Sequence, residues 1–181
     1  MTRAPQEVTR YPAGHGLAGL ALGTALVVLA LVAGLNFTFA AAVMPNLAGA
    51  DDRTFVEITQ RFNTNPVFPL SFTLALMLML LTVILQAVFV RGPAMRWAIA
   101  ALVLYGVVLA ITGGLHIPLN YAIDQAGDPD RIKDLARVRS DFESPWVVGN
   151  LVRTLFCTAA VAALARALVL HGRQSMRRAH P

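Results

Sequence analysis

The sequence has very little of several things. It holds one cysteine, Cys157, so no disulfide can form within the chain. That residue sits in the apolar run Leu155–Leu164, where a small packing side chain is expected. Lysine is nearly absent: Lys133 stands alone among the arginines. Charged residues make up only 14% of the chain and hydrophobic residues 56%, whereas soluble domains carry about 25% charge. An ordinary soluble domain is thereby excluded. From Tyr11 to Ala50 no Asp, Glu, Lys or Arg occurs. No internal repeat or low-complexity segment stands out, and one domain is the natural count for this length. The formal net charge of +5 is unevenly distributed between loops, so it argues for membrane sidedness and no nucleic-acid partner.

What the chain does have is four apolar runs, at residues 17–44, 67–90, 97–114 and 146–170. About 20 apolar residues cross a bilayer core as a helix. The expected fold is all-α, an integral membrane four-helix bundle with short surface helices in the two outer loops. Residues 1–16 form a tail before the membrane domain (17–170), and 171–181 form a basic tail after it. A basic start, an apolar run and Ala40-Ala41-Ala42 also describe a signal peptide, but the run exceeds the usual hydrophobic region of such peptides.

Punctuation between the runs is readable. Pro45 is expected to end the first helix. Asp51 or Asp52 caps an amphipathic helix over about 53–62, with Phe55, Ile58 and Phe62 on one face. Asn63-Thr64-Asn65-Pro66 stops that helix and caps the next. Arg91-Gly92-Pro93 is a tight turn, which makes the second and third helices antiparallel neighbours. Residues 121–145 read as a charged loop. Asp128-Pro129-Asp130 there signals a short surface helix over 131–142, and Ser144-Pro145-Trp146 opens the fourth span. Arg3, Arg10, Arg91, Arg96, Arg173, Arg177 and Arg178 fall on one side with Glu7 as their only acid. The positive-inside rule then puts both termini in the cytoplasm, in a multi-pass protein of the cell membrane.

Chemistry gathers at the opposite edge. Gly113-Gly114-Leu115-His116-Ile117-Pro118-Leu119-Asn120 closes the third run, and Pro118 has no N–H for the carbonyl of Gly114. The helix must kink or end there. His116 and Asn120 share a face if it continues. They either bond freed backbone carbonyls, or His116 exchanges protons near neutrality. No histidine partner lies at its level, so no metal site is expected. Trp146, Asn150 and Arg153 recur at i, i+4 and i+7 on one side of the fourth helix. Trp146 suits a membrane interface. Arg153 lies deep enough to need a counter-group: Asp141 or Glu143 folding back, or an anionic ligand. Asn36, amid Leu35 and Phe37, either bonds across helices or lines a pocket. Tyr105 in mid-span needs a hydroxyl partner, and Arg166 can extend to the interface.

Taken together, Asn36-Phe37-Thr38-Phe39 with Met44-Pro45, then His116-Ile117-Pro118-Leu119-Asn120, then Trp146, Asn150, Arg153 and Thr154 resemble a family of small four-helix membrane proteins that includes the anthrone oxygenases. The resemblance spans about residues 20–170. Most members carry asparagine where this chain has His116. It implies an oxygenase that converts an anthrone to an anthraquinone with O₂ and without a cofactor. His116 would take the benzylic proton, and Arg153, with Asn120 or Asn150, would hold the resulting anion. Trp146 and Phe39 would stack on the flat substrate. A non-catalytic membrane protein that binds a lipophilic molecule or a protein partner is the alternative, and a homo-oligomer is compatible with either. Transport has little support, because no pair of discontinuous helices is evident.

Overall fold

The computed structural model describes residues 13–179. The expected tail at 1–12, with Arg3 and Arg10, lies outside them, as do the side chains of Arg177 and Arg178. Among the described residues there are five helices and no strand: α1 Ala13–Ala48, α2 Asp52–Asn63, α3 Val67–Val90, α4 Pro93–Gln125 and α5 Leu135–Ala179. Of these, α1, α3, α4 and α5 are long and apolar enough to cross a membrane. Their outward faces carry Leu20, Leu31, Leu70, Met77, Val103 and Leu155 exposed. Apolar residues exposed all around a bundle belong against lipid. The protein is a multi-pass membrane protein with an all-α bundle.

Alternation of direction follows from which ends meet. His15 at the start of α1 stacks on His171 near the end of α5, with ring centroids 4.4 Å apart. Gln86, beside the α3–α4 turn, bonds His171 at 3.2 Å. The start of α1, this hairpin and the end of α5 therefore share one end of the bundle, here called the hairpin end. Arg91 (φ 47°) and Gly92 (φ 146°) make that turn, and glycine is the residue that accepts such a φ without strain. The core between is small and tight: Ala18, Leu22, Ala25 and Leu29 of α1 pack with Ala98, Ala101 and Tyr105 of α4 and Cys157, Ala160 and Leu164 of α5. Small residues let membrane helices approach closely. Tyr105 Oη donates to the Phe72 carbonyl at 2.9 Å, giving its hydroxyl the partner it needs. Cys157 is buried packing, as expected, and Arg166 is exposed.

Helix α1 begins at Ala13, within the expected tail, and α5 runs on to Ala179 through most of the other. Three further boundaries differ from expectation at prolines. Pro45 does not end the first helix. The π turn Phe39–Val43 precedes it, and Met44 N–H donates to Phe39 O in the wider register. Asn46 Nδ2 donates to the Ala42 carbonyl at 2.7 Å, so the helix runs on to Ala48. Pro118 likewise follows a π turn, Thr112–His116, and α4 continues to Gln125 past the expected stop near 114. Widening the helix just before a proline relieves the ring's clash with the preceding turn. Pro145 lies inside α5 instead of opening it. Its missing N–H leaves the carbonyl of Asp141, a water-exposed residue outside the bundle, where loss of one helical bond costs little. The second outer loop's helical segment is thus the first turns of α5 and not a separate element. Asp128 makes a turn with Arg131 N–H at 2.8 Å, and it is Asp134 Oδ1 that caps α5 by accepting from Arg137 N–H at 2.9 Å.

The end opposite the hairpin is capped by α2. Asp51 Oδ1 accepts from Thr54 N–H at 3.0 Å and Oδ2 from Thr54 Oγ1 at 2.7 Å, fixing the helix start. Phe55 and Val56 are fully buried beneath it. Arg139 of α5 ties the cap down, donating to Asp52, to Glu143 and to the carbonyls of Ala48 and Ala50. Gln60 Nε2 donates to the carbonyls of Ile123 and Gly127, both at 2.9 Å. Thr54 holds the Asp51 carboxyl below its ordinary value of 3.8. A depressed carboxyl stabilises the fold above the unfolded value, and that contribution is lost as pH falls through the folded one. Amide exchange at Thr54, corrected for the intrinsic rate, is therefore expected to lose protection on acidification. In Asp51→Asn, which keeps an acceptor but does not titrate, the loss should vanish. Equal loss in both would locate it elsewhere.

Candidate functional site

Beneath the α2 cap lies a cavity of about 390 Å³, within the range of small-molecule sites. Every helix contributes a wall: Leu35, Asn36 and Phe39 from α1, Phe62 and Asn63 from α2, Phe68, Pro69 and Phe72 from α3. From α4 come Thr112, His116, Ile117, Asn120, Tyr121 and Asp124, and from α5 Trp146, Asn150 and Arg153. All seven residues singled out from the sequence, from Asn36 to Arg153, line this one space. The π turns put two of them there. Phe39 belongs to the π turn before Pro45 and His116 to the one before Pro118, and each such turn rotates the following residues relative to a regular helix.

Arg153 is the electrostatic centre. It is 7% exposed. Nη2 donates to Asn150 Oδ1 at 3.0 Å and Nη1 to Thr112 Oγ1 at 3.3 Å. Nε is buried without a partner. Its guanidinium lies 5.7 Å from the Trp146 ring centre and 5.9 Å from that of Phe72, a distance at which ring faces attract cations. The expected clasp with Asp141 or Glu143 does not form. Glu143 pairs with Arg139 and Asp141 with Arg137, both outside the bundle. Among the described residues no carboxylate pairs with Arg153, and the hydrogen-bond and ring partners of this buried cation are all neutral.

The other polar groups hold the wall. Asn150 Nδ2 donates to the Asn36 carbonyl at 3.0 Å while its Oδ1 receives Arg153, so both ends of this amide are used in positioning. Asn36 Nδ2 reaches Cys157 Sγ at 3.5 Å. Asn120 Oδ1 accepts from Trp146 Nε1 at 3.0 Å. His116 is 1% exposed, and its Nε2 lies 3.2 Å from the Trp146 carbonyl. A carbonyl only accepts, so both ring nitrogens are placed to donate, and in the neutral ring the shorter contact favours the proton on Nε2. Nδ1 is 3.5 Å from the Ile111 carbonyl, at the outer limit of a hydrogen bond. The ring is wedged against Gly149, where a Cβ would come within 2.7 Å of His116 Cε1. Aromatic faces complete the box: Phe39 meets Trp146 at 5.6 Å, Phe62 at 5.0 Å and Phe68 at 5.5 Å.

Several lining residues were not singled out from the sequence. Phe62, Phe68 and Phe72 read there as core or surface apolar positions, and Asn63 as a helix stop. Asp124 read as a loop charge, because α4 was expected to end ten residues earlier. Its carboxylate accepts from Asn63 Nδ2 at 3.0 Å on the cavity rim. Among the described residues no three His, Cys, Asp or Glu side chains converge as metal ligands would.

The family model described as anthrone oxygenase matches residues 60–163, which include His116, Asn120, Trp146, Asn150 and Arg153 but not Asn36 or Phe39. No curated protein and no solved structure gives a match. With more than half of the chain matched, over the three helices that carry the buried arginine and most of the cavity wall, this membrane protein belongs to the anthrone oxygenase family.

Proposed function

We propose that the protein is a membrane-embedded oxygenase that acts, without a cofactor, on a small hydrophobic aromatic of the anthrone type. The observation that carries this reading is Arg153, a buried cation without a counter-ion in an aromatic-walled cavity. Burying a charge without a partner is costly, so a ligand that brings negative charge is favoured there. The aromatic walls favour one that spreads the charge over flat rings. An anthrone ionised at its benzylic carbon is such a species.

In the proposed reaction the neutral His116 ring accepts the benzylic proton. Arg153 and the Asn120 amide N–H hold the oxygen on which the charge settles, and a low-dielectric site strengthens both contacts. The electron-rich ring carbon then combines with O₂, and the peroxide anion formed takes the proton back from His116. The resulting C–O–O–H group loses water to leave a carbonyl. One oxygen atom enters the product and the other leaves as water, so the four electrons removed from the CH₂ group reduce one O₂. No external reductant is required.

Oxygen uptake by reconstituted protein supplied with a hydroxylated anthrone tests the reading. Uptake matched mole for mole by anthraquinone is the expected result. Tight binding without uptake would make this a binding protein for lipophilic aromatics, the alternative function. We also infer that the hairpin end faces the cytoplasm of a cell-membrane protein, on the strength of Arg91, Arg96 and Arg173 there. An impermeant thiol reagent on intact cells should leave Arg91→Cys unlabelled, and labelling would reverse the orientation.

A further inference from the structure

The cavity opens on one side of the bundle, between α3 and α4. Its roof is α2, held by Gln60 to the Ile123 and Gly127 carbonyls and by Asn63 to the Asn120 carbonyl and Asp124. Its α1 and α5 walls are buried or half-buried throughout. The exposed lining residues are all on one side: Pro69 at the start of α3, and Ile117, Tyr121 and Asp124 toward the end of α4. Ile117 is 59% and Tyr121 65% exposed. A single hydrogen bond, Tyr105 to the Phe72 carbonyl, joins α3 and α4 across the described residues, and the opening lies beyond it, away from the hairpin. Pro69 adjoins Leu70, which is 66% exposed on the bundle's lipid-facing surface. The mouth is therefore framed by apolar exterior (Pro69, Ile117), with an aromatic hydroxyl and a carboxylate (Tyr121, Asp124) toward the cap.

We propose that the gap between the start of α3 and the end of α4 is a lateral portal through which a lipid-dissolved aromatic passes from the cap-side leaflet to Arg153. This rests on the oxygenase reading for its ligand, but not for its geometry. A substrate that partitions into the bilayer reaches the site without crossing the α2 roof, and water is kept from the anion at Arg153. Ile117 and Tyr121 would then govern the rate of entry and the width of ligand admitted, not the chemistry.

The chain has two tryptophans, so Trp97→Phe leaves Trp146, on the cavity wall, as the sole reporter. The experiment places this variant, full length, in phosphatidylcholine vesicles whose acyl chains are brominated. It compares quenching of Trp146 emission by the lipid with quenching by aqueous iodide. The portal requires loss of emission in brominated lipid and little loss with iodide, and it requires Ile117→Phe, which narrows the mouth, to restore part of the emission. Quenching by iodide at least equal to that by lipid would put the opening toward water. Quenching by neither would mean a closed cavity, and lipid quenching indifferent to Ile117→Phe would mean another path; each overturns the proposal. Absence of oxygen uptake while lipid quenching persists would remove the oxygenase reading and leave the lipid-side opening standing.

Discussion

Arg153→Met is expected to make the empty protein more stable and to leave it unable to turn over substrate. Methionine matches the length of the aliphatic stem and suits the contact with Phe72 and Trp146, which already flank the guanidinium. What is lost is a charge that pairs with no carboxylate among the described residues. Replacing buried ionic groups by apolar ones of similar size is neutral or stabilising by about 1–4 kcal/mol. Two hydrogen bonds go with it, to Asn150 and Thr112, which moves the gain toward the lower end of that range. Turnover should fall by about 10²–10³-fold, the effect of removing one group that stabilises a developing oxyanion. Thermal unfolding in detergent checks the first half and oxygen uptake the second. A protein destabilised by Arg153→Met with its turnover intact would make Arg153 a structural clasp.

His116→Gln separates the two tasks open to this side chain. Glutamine places its amide nitrogen near the position of Nε2 and can still donate to the Trp146 carbonyl, so the tie between α4 and α5 is kept. It has no nitrogen lone pair to take a proton. If His116 is the base, turnover falls by about 10²–10⁴-fold, the usual contribution of a positioned proton acceptor. Melting temperature and ligand affinity should then stay close to the parent's. His116→Ala should lose both, because it also removes the ring packed against Gly149. Full activity in His116→Gln would reduce His116 to the clamp that its buried contacts already describe, and the proton would have to leave by another group.

The membrane spans and the polar rim were legible because each rests on a strong local signal. A charge-free run from Tyr11 to Ala50 has no soluble solution. Trp146, Asn150 and Arg153 at helical spacing had to share a face whatever surrounded them. Asp51 as a cap and Arg91-Gly92-Pro93 as a turn follow from backbone chemistry that two or three residues decide. What stayed hidden depends on distant parts of the chain. Pro45 read as a stop, Pro118 as a kink or stop and Pro145 as a start, yet each is accommodated inside a helix, two of them by a π turn just upstream. No residue pattern announces a π turn, because it forms where packing favours an extra residue. Arg139, which read as one more loop charge, turned out to anchor the cap through contacts almost ninety positions away in sequence. The extension of α4 to Gln125 brought Asp124 to the cavity rim for the same reason.

The central claim is that this cavity holds an aromatic as its anion against Arg153. The most direct test is the absorption spectrum of a hydroxylated anthrone bound to the reconstituted protein under nitrogen, where it cannot be consumed. The expected spectrum is that of the anion, at a pH where the same compound in plain vesicles is neutral, with the neutral spectrum returning in Arg153→Met. A neutral spectrum for ligand bound to the parent protein, or an anionic one undiminished by Arg153→Met, would contradict the account.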